Sequence, residues 1–391
     1  MRPAYILDAV RTPFGKRGGG LSGLRTDDLA ALPIAALVAR QPRLDPATIE
    51  DVVLGNTNGA GEDNRNVGRM AALLAGLPVT VPGATVNRLC GSGAEALVQA
   101  ARAIAIDDAQ LIVAGGVESM SRAPFVVARP DAAFPRSLEL VDSTVGWRFV
   151  NPGFPAEWTN SLGGVVETVA TEYGIERDAQ DAWALRSHRA ASAAWASGAF
   201  EQNVVPAGGL ARDESIRDDA SLSALAKLPS AFSSDGTVTA GNSSPINDGA
   251  AAALIGSAHA VERFGIDPIG AIMASSVVGT APDRFPVAPV EAIRNVAKRV
   301  AVPLEQFDLI EINEAFAAMV LCTLQDLPEL ERERVNVNGG AIAMGHPLGA
   351  SAVRIVIDLC VELRRRGGGR GIAAACIGVG QGIAIACEVD P

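Results

Sequence analysis

The sequence predicts an α/β fold built from two similar halves. The first half reads strand, helix, strand, helix, strand between residues 51 and 116, and the same order recurs between residues 308 and 376. Short runs rich in aliphatic residues and bounded by glycine are typical of buried strands, and apolar residues at helical spacing alternate with them. This alternation predicts sheets covered by helices.

The elements of the first half follow from these patterns in chain order. The sequence predicts a strand at 51–56, a helix at 66–74, a strand at 84–89, a helix at 91–105 and a strand at 110–116. In the second helix Ala94, Leu97, Val98 and Ala101 recur at helical spacing, which indicates one buried face.

The second half repeats the order near the end of the chain. A strand at 308–313 precedes a helix at 314–327, a glycine-rich segment at 334–349, a helix at 350–366 and a strand at 371–376. The apolar run at 382–389 is a further strand. Between the halves, residues 119–248 are rich in Pro, Gly, Asp and Arg but contain a helical pattern at 177–198. We therefore expect an inserted lobe that covers a site, because long structureless loops are rare in compact domains.

Composition excludes several classes of function. With 33 Lys+Arg against 44 Asp+Glu, the 391-residue chain has a formal net charge of −11, which disfavours nucleic acids and anionic membranes as partners. Hydrophobic residues at 48% and charged residues at 20% indicate a folded chain. Five unpaired cysteines favour a reducing compartment. Asp8 and Arg11 interrupt any signal sequence, and no apolar run approaches the ~18 residues of a membrane span, so we expect a cytoplasmic protein.

Cys90 is the first candidate for chemistry. It follows a predicted strand and precedes Gly91 and a helix, so its sulfur lies at a helix N-terminus, where N–H groups and the macrodipole favour an anion. This placement predicts a stabilised thiolate, and hence a nucleophile. The alternative is a buried structural cysteine with glycines for a tight turn.

Three further residues are candidates. His346 lies between Gly345 and Pro347, which leaves little bulk beside the imidazole, although a turn histidine would look the same. Cys376 opens a glycine-rich loop after a strand, with a core cysteine as the alternative, and Asn313 is either an oxyanion donor or a helix cap. The other histidines are interpreted as surface or packing residues, and Cys322, Cys360 and Cys387 as core.

A metal site, a P-loop and a dinucleotide fingerprint are not predicted. There is no Cys-x2-Cys pair and no two histidines at ligand spacing. The run GVGQG has the glycines of a nucleotide loop, but a strand rather than a helix follows it.

Seven motifs, in order, make the chain resemble the thiolases, the acyl-CoA C-acetyltransferases. They are AVRTPFGK, VNRLCGSG, AGGVESMSRAPF, VTAGNSSPINDGAAA, INEAFA, NVNGGAIAMGHPLGAS and CIGVGQG, spread over essentially the whole length. The resemblance implies a duplicated, five-layered αβαβα fold with an inserted loop domain. It implies an N-terminal half at 1–118 completed by about 249–268, a loop domain at 119–248 covering coenzyme A and oligomer contacts, and a C-terminal half at 269–391.

The resemblance also implies roles for individual residues. Cys90 would carry the acyl group as a thioester, His346 would activate it, and Cys376 would move the proton at the α-carbon. Asn313 would hold a water that forms one oxyanion hole with His346, and the N–H groups of Cys90 and Gly378 would form the other. Breaking or making a C–C bond beside a thioester needs these three kinds of group: an acyl carrier, a base and oxyanion donors.

Coenzyme A would be a substrate, with no permanently bound cofactor and no metal. By the same resemblance, the residues lining its groove would be Arg217, Leu228, Phe232, Ser244, Ala315 and Phe316. Because the chain is acidic overall, a local cluster such as Arg217 and Lys227 would meet the CoA phosphates. Loops near 119–143 would pair dimers into a homotetramer.

Two departures bear on substrate choice. Pro245 stands where the family usually has Gly, and Val379 replaces a frequent Gly. Local motifs look most like 3-oxoadipyl-CoA thiolases, whose substrate carries a distal carboxylate that Arg65, Arg69 or Arg148 could pair with. The alternatives are a biosynthetic acetoacetyl-CoA thiolase, a Cys-His-Asn thioester hydrolase, a decarboxylating condensing synthase and an inactive CoA-binding protein.

Overall fold

A computed structural model describes residues 3–391, and its elements follow the predicted order. The strands are β1 Ala4–Arg11, β2 Gly15–Lys16, β3 Asp51–Gly55, β4 Ala84–Val86, β5 Leu111–Ser119, β6 Phe125–Val127, β7 Leu140–Asp142, β8 Asn247–Gly256, β9 Gly270–Gly279, β10 Leu309–Ile312, β11 Gly369–Ile377 and β12 Gln381–Val389. The helices are α1 Thr26–Arg40, α2 Val67–Leu74, α3 Ser92–Ala105, α4 Leu162–Glu172, α5 Arg177–Ala196, α6 Leu222–Leu225, α7 Ala258–Phe264, α8 Ala288–Val300, α9 Ala317–Asp326, α10 Ala341–Met344 and α11 Leu348–Arg365.

The strands form two similar sheets. One has the order β4-β3-β5-β8-β1 and the other β9-β12-β11-β10, and the two join where Ala4–Ile6 of β1 pairs with β9. In each sheet the βα-connected strands are parallel and the remaining pairs antiparallel. In the first half β4 pairs with β3 in parallel. The corresponding pairing in the second half is a single parallel bridge from Val335 to Ile310 of β10. The predicted duplication is therefore confirmed.

Helices α3 and α11 form the central layer between the sheets. In α11, residues from Gly349 to Cys360 are all buried, as expected for a helix covered on every side. Helices α1 and α2 cover the outer face of the first sheet, and α8 and α9 cover that of the second. These five layers match the fold class that the sequence predicts, and they place the N-termini of α3 and α11 side by side.

The predicted strand at 84–89 is shorter in the structure and ends at Val86. Asn87 Oδ1 accepts the N–H of Leu89 at 2.9 Å, and Leu89 adopts a left-handed φ of 46°. A side-chain bond to the backbone and a positive φ both take the chain out of the strand conformation. The chain therefore turns before Cys90 instead of continuing the sheet.

The inserted segment packs on the core through buried polar contacts. It contains a short β6–β7 hairpin and the helices α4, α5 and α6, and α5 confirms the helix predicted at 177–198. Arg11 of β1 forms a buried ion pair with Asp213 at 2.7 Å, and Asp213 also accepts the N–H of Phe14 at 2.8 Å. These bonds tie the loop after α5 to the first sheet. Among residues 3–391, no helix has the length and apolar content needed to cross a membrane.

Candidate active site

Cys90 lies in a short 3₁₀ turn that leads into α3. The residue before it, Leu89, has a φ of 46°, which bulky residues rarely adopt. The Ser92 hydroxyl donates to the Leu89 carbonyl at 2.6 Å and accepts the N–H of Arg88 at 2.9 Å. A strained backbone held by such bonds keeps the Cys90 sulfur in one position.

Cys376 and Gly378 approach Cys90 from the other half of the molecule. Cys376 lies near the end of β11 and is 1% exposed, and this strand contacts the turn that carries Cys90: a Cβ added at Gly91 would lie 2.5 Å from Ile377 Cδ1. The backbone N–H of Gly378 donates a hydrogen bond to the Cys90 sulfur. The structure thus brings together both cysteines that the sequence singles out. The prediction that Cys322, Cys360 and Cys387 belong to the core is confirmed, because all three are 0% exposed.

Burial opposes the thiolate that the sequence predicts at Cys90. Burial raises the pKa of the Cys90 thiol to about 11, although the N–H groups of Gly378 and of Cys90 itself act in the opposite direction. The charge of Glu118 raises the pKa further. Loss of solvation therefore outweighs the helix N-terminus, and Cys90 rests as a neutral thiol that a base must deprotonate.

His346 is buried and held as a neutral base. Its Nδ1 lies 2.6 Å from Ser351 Oγ, and the Ser351 hydroxyl donates to the Pro347 carbonyl at 2.8 Å. Because that hydroxyl proton is already used, Nδ1–H donates to Ser351 and the lone pair of Nε2 faces the Asn313 amide. Burial and then the charge of Arg354 lower the pKa of His346 to about 3. His346 is therefore neutral, with Nε2 as its acceptor atom, and burial makes it a weak base in the resting protein.

Asn313 is the neighbour of His346 in the site. Asn313 Nδ2 lies 3.3 Å from His346 Nε2. Asn313 Oδ1 is buried and has no hydrogen-bond partner among residues 3–391. A buried acceptor of this kind needs a partner, so it can bind a water or a donor from a substrate.

Glu314, which sequence reasoning missed, anchors the Asn313 loop. Its buried carboxylate accepts the Trp183 indole N–H at 2.9 Å, the Ser187 hydroxyl at 2.6 Å and the Ile342 N–H at 3.2 Å. These bonds join the loop to α5 and to the segment before His346. A charged residue inside the apolar INEAF motif was the available signal.

Glycines set the distance between the Cys90 turn and the His346 turn. A Cβ added at Gly93, three residues after Cys90, would lie 2.5 Å from the carbonyl oxygen of Gly349, three residues after His346. A Cβ at Gly116 of β5 would overlap the same oxygen. Only residues without a Cβ allow the N-termini of α3 and α11 to approach this closely.

A cleft of about 560 Å³ opens beside the site. Arg217, Leu228 and Pro245 line it, and so does Ile342, four residues before His346. The other four predicted groove residues do not line this cleft but contact one another: Phe232 packs edge-on against Phe316 with ring centroids 6.1 Å apart, and the Ser244 N–H donates to the Ala315 carbonyl at 3.0 Å.

The cations at this cleft differ from those predicted. Lys227 is exposed and does not line the cleft, whereas Lys16 does so beside Arg217. Arg217 is held in turn by His188, which is 4% exposed and accepts the Arg217 N–H on Nδ1 at 3.2 Å. His188 thus has a packing role beside Arg217, a residue predicted to bind coenzyme A. The polar pattern of the helix that carries His188 did not reveal this role.

His188 should make folding pH-dependent. Burial lowers the pKa of His188 to about 4, from 6.5 in the unfolded chain. The unfolded chain then binds the proton more tightly, so the free energy of unfolding falls as the pH falls from about 6.5 to about 4, by at most about 3 kcal/mol. His188→Asn, whose Oδ1 can replace Nδ1 as acceptor, should flatten this dependence of Tm. An unchanged slope would show that His188 is protonated in the folded protein.

The three arginines predicted to meet a distal carboxylate lie in different surroundings. Arg69 donates to the carbonyls of Val79 and Val81, so it supports a loop. Arg65 is exposed. Arg148 donates to the Ser143 carbonyl at 3.1 Å, and no carboxylate pairs with its guanidinium among residues 3–391. Arg69 and Arg148 are both held by backbone carbonyls and pair with no carboxylate among residues 3–391, but Arg148 uses one carbonyl where Arg69 uses two, so more of its donors stay free.

The fold and the paired thiols define an acyl-transferring enzyme that uses cysteine. Comparison with known proteins gives the family: Thiolase, N-terminal domain, matches residues 4–259 and Thiolase, C-terminal domain, matches residues 266–389. The chain belongs to the thiolase family and is an acyltransferase.

Its relatives and structural neighbours agree with this assignment. A Beta-ketoadipyl-CoA thiolase of Acinetobacter baylyi is 49% identical over 399 positions, which cover 99% of this chain and 100% of the relative. The 3-oxoadipyl-CoA/3-oxo-5,6-dehydrosuberyl-CoA thiolase of Escherichia coli is 47% identical over 400 positions, with 99% and 100% covered. Human mitochondrial 3-ketoacyl-CoA thiolase in complex with CoA superposes with a TM-score of 0.93 at 35% identity, with 100% and 98% covered.

Proposed function

We propose that this thiolase cleaves 3-oxoacyl-CoA with coenzyme A to give acetyl-CoA and a shortened acyl-CoA, and catalyses the reverse condensation. The observation that carries the proposal is the meeting of Cys90, from the first half, with Cys376 and the Gly378 N–H from the second. Two adjacent thiols provide an acyl carrier and a separate acid/base, which a C–C bond beside a thioester requires.

In the first half-reaction His346 Nε2 accepts the proton of Cys90, whose sulfur attacks the 3-oxo carbonyl. The C2–C3 bond breaks, its electron pair forms the enolate of acetyl-CoA, and the Cys376 thiol protonates C2. The acyl group stays on Cys90 as a thioester. Donors near the developing oxyanions are the N–H groups of Cys90 and Gly378 and a water held by Asn313 beside His346.

In the second half-reaction the Cys376 thiolate takes the proton of the CoA thiol. The CoA sulfur attacks the thioester, the shortened acyl-CoA leaves, and the Cys90 sulfur regains its proton from His346. Both cysteines and the histidine return to their starting states. Transfer of the acyl group from the Cys90 sulfur to the CoA sulfur needs no further reactant.

We place coenzyme A in the 560 Å³ cleft. Arg217 and Lys16 supply the cations for its phosphates, next to the Glu214 carboxylate 4.0 Å from Lys16, while Leu228 supplies apolar surface. The cleft reaches Ile342 of the segment that carries His346, which is consistent with a thiol arm that ends at Cys90. The chain would divide in function into an N-terminal half at 1–118 completed by about 249–268, a loop domain at 119–248 and a C-terminal half at 269–391.

Arg148 supports 3-oxoadipyl-CoA as the preferred substrate. The Ser143 carbonyl that accepts from Arg148 also accepts from Asn58 Nδ2 at 3.3 Å. The Asn58 N–H in turn donates to Glu118, which lies near Cys90. Three hydrogen bonds thus link this cation to Glu118 beside the nucleophile, a placement suited to the far end of a short acyl chain.

Arg148→Gln should lower kcat/KM for 3-oxoadipyl-CoA by about 10- to 100-fold, because one charge-assisted pair is lost. The kcat/KM for 3-oxohexanoyl-CoA, which has no distal carboxylate, should change by less than about threefold. Arg65→Gln is the matched control, since it removes an exposed arginine without that anchor. A series of acetoacetyl-, 3-oxohexanoyl-, 3-oxodecanoyl- and 3-oxoadipyl-CoA measures the preference. Equal kcat/KM values across the series would contradict it.

We further propose a cytoplasmic homotetramer, a dimer of dimers. The segment around the β6–β7 hairpin exposes apolar side chains in a group, including Phe125, Val127, Phe134, Leu138 and Leu140. Phe134 is 93% exposed, and such grouped apolar residues mark an interaction surface. The mass of the protein in solution, by light scattering or sedimentation, tests the proposal, and a monomeric mass would refute it.

A further inference from the structure

Glu118 is a buried carboxylate that the mechanism above does not use. It lies near the end of β5, is 2% exposed, and accepts hydrogen bonds from both halves of the active site. The N–H groups of Thr57 and Asn58 donate to it at 3.1 Å and 3.2 Å, and the N–H of Gly349 donates at 3.0 Å.

These bonds join two elements that carry site residues. Thr57 and Asn58 follow β3, against which the Cys90 helix packs, whereas Gly349 belongs to the first turn of α11. No side chain of its own caps α11 at Pro347, so Glu118 provides the negative charge at that helix N-terminus. His346 is three residues before Gly349, and its backbone is therefore fixed through this bond.

The charge of Glu118 also acts on Cys90. Burial raises the pKa of Glu118 to about 7, against the hydrogen bonds from Thr57 and Gly349, and Asp63 raises it further. Asp248 on the neighbouring strand β8 accepts from Ser119 and Ser121 instead. A carboxylate near Cys90 opposes a second negative charge there.

We propose that Glu118 is a positioning residue that clamps the N-terminus of α11 to the segment after β3, so that His346 faces Cys90. This inference rests on the roles proposed for Cys90 and His346. The clamp has a geometric effect on turnover. The charge of Glu118, which adds to the larger effect of burial on Cys90, gives a second and separate readout on the thiol.

The test compares Glu118→Gln with Glu118→Asp. Glu118→Gln removes the charge, so the pH profile of Cys90 alkylation by iodoacetamide should move down by about one pH unit, about tenfold in rate near pH 8. Its kcat for thiolysis should nevertheless fall by about 10- to 100-fold, because His346 loses its fixed position.

Glu118→Asp keeps the charge but shortens the reach, so kcat should fall while the alkylation profile stays in place. Mass spectrometry of the Cys90 peptide separates this thiol from the other four.

Glu167→Gln is the matched control. The Glu167 carboxylate is also buried and accepts backbone N–H groups, from Thr237 and Val238 at 2.8 Å each, but in the inserted segment. This variant should lose stability without moving the alkylation profile. Equal profiles for Glu118→Gln and wild type would overturn the electrostatic effect, and an unchanged kcat in both Glu118 variants would overturn the clamp. Failure of acetyl-CoA to acetylate Cys90 in the wild type would instead refute the proposed function.

Discussion

Replacing Cys376 with serine should abolish C–C bond cleavage but still allow acetylation of Cys90. The hydroxyl of serine is a far weaker acid than a thiol, so protonation and deprotonation at C2 should slow by about 10³-fold or more in kcat. Acyl transfer to Cys90 also exchanges a proton between residue 376 and the CoA thiol, but CoA leaves as a thiolate, which needs this proton far less than the carbanion at C2 does. Acetyl-enzyme on Cys90, measured by mass spectrometry with acetyl-CoA, should therefore still form, with a rate lowered much less than that of thiolysis.

Three outcomes of this experiment distinguish the candidate functions. Loss of thiolysis with retained acetyl exchange supports the thiolase mechanism. Full transfer of acyl groups to water in Cys376→Ser would support a hydrolase, in which the second cysteine has no role. Absence of acetyl-enzyme in the wild type would support an inactive CoA-binding protein. Cys322→Ser, which changes a buried cysteine of α9, is the control and should keep kcat within about twofold.

The regular elements could be predicted because their signals are local. Strands β3, β5, β10 and β11 and helices α3 and α11 follow from apolar runs and periodicity within each segment. The shortened β4 could not be predicted, because the side chain of Asn87 and the left-handed Leu89 take residues 87–89 out of the predicted strand. The chain leaves the strand there in order to place Cys90.

The site was predictable in its residue types but not in its electrostatics. The glycine-rich surroundings of Cys90, His346 and Cys376 are visible in the sequence. The protonation state of Cys90 depends on burial by elements far away in the chain, and burial reversed the sign expected from the helix N-terminus. Glu118 and Glu314 were missed for the same reason, since their partners lie up to 231 residues away.

Gly116→Ala should disrupt the fold at the active site more than any surface change. Gly116 lies in the middle of the first sheet, paired with Gly55 on one side and Ala251 on the other. An added Cβ would overlap the carbonyl oxygen of Gly349, and the three atoms nearest to that position are backbone atoms, which cannot rotate away as a side chain would. We expect the free energy of unfolding to fall by about 3 kcal/mol.

The same substitution should affect catalysis beyond its effect on stability. Relieving the overlap requires α11 to move away from β5, which displaces His346 from Cys90, and a shift of about 1 Å in such a pair lowers kcat by about 100-fold. Thermal unfolding and kcat at a temperature where the variant is folded measure the two effects. Gly23→Ala is the control: nothing lies within 4 Å of its added Cβ, so both quantities should stay near wild type. A Gly116→Ala protein with normal Tm and kcat would show that this glycine contact does not set the distance between base and nucleophile.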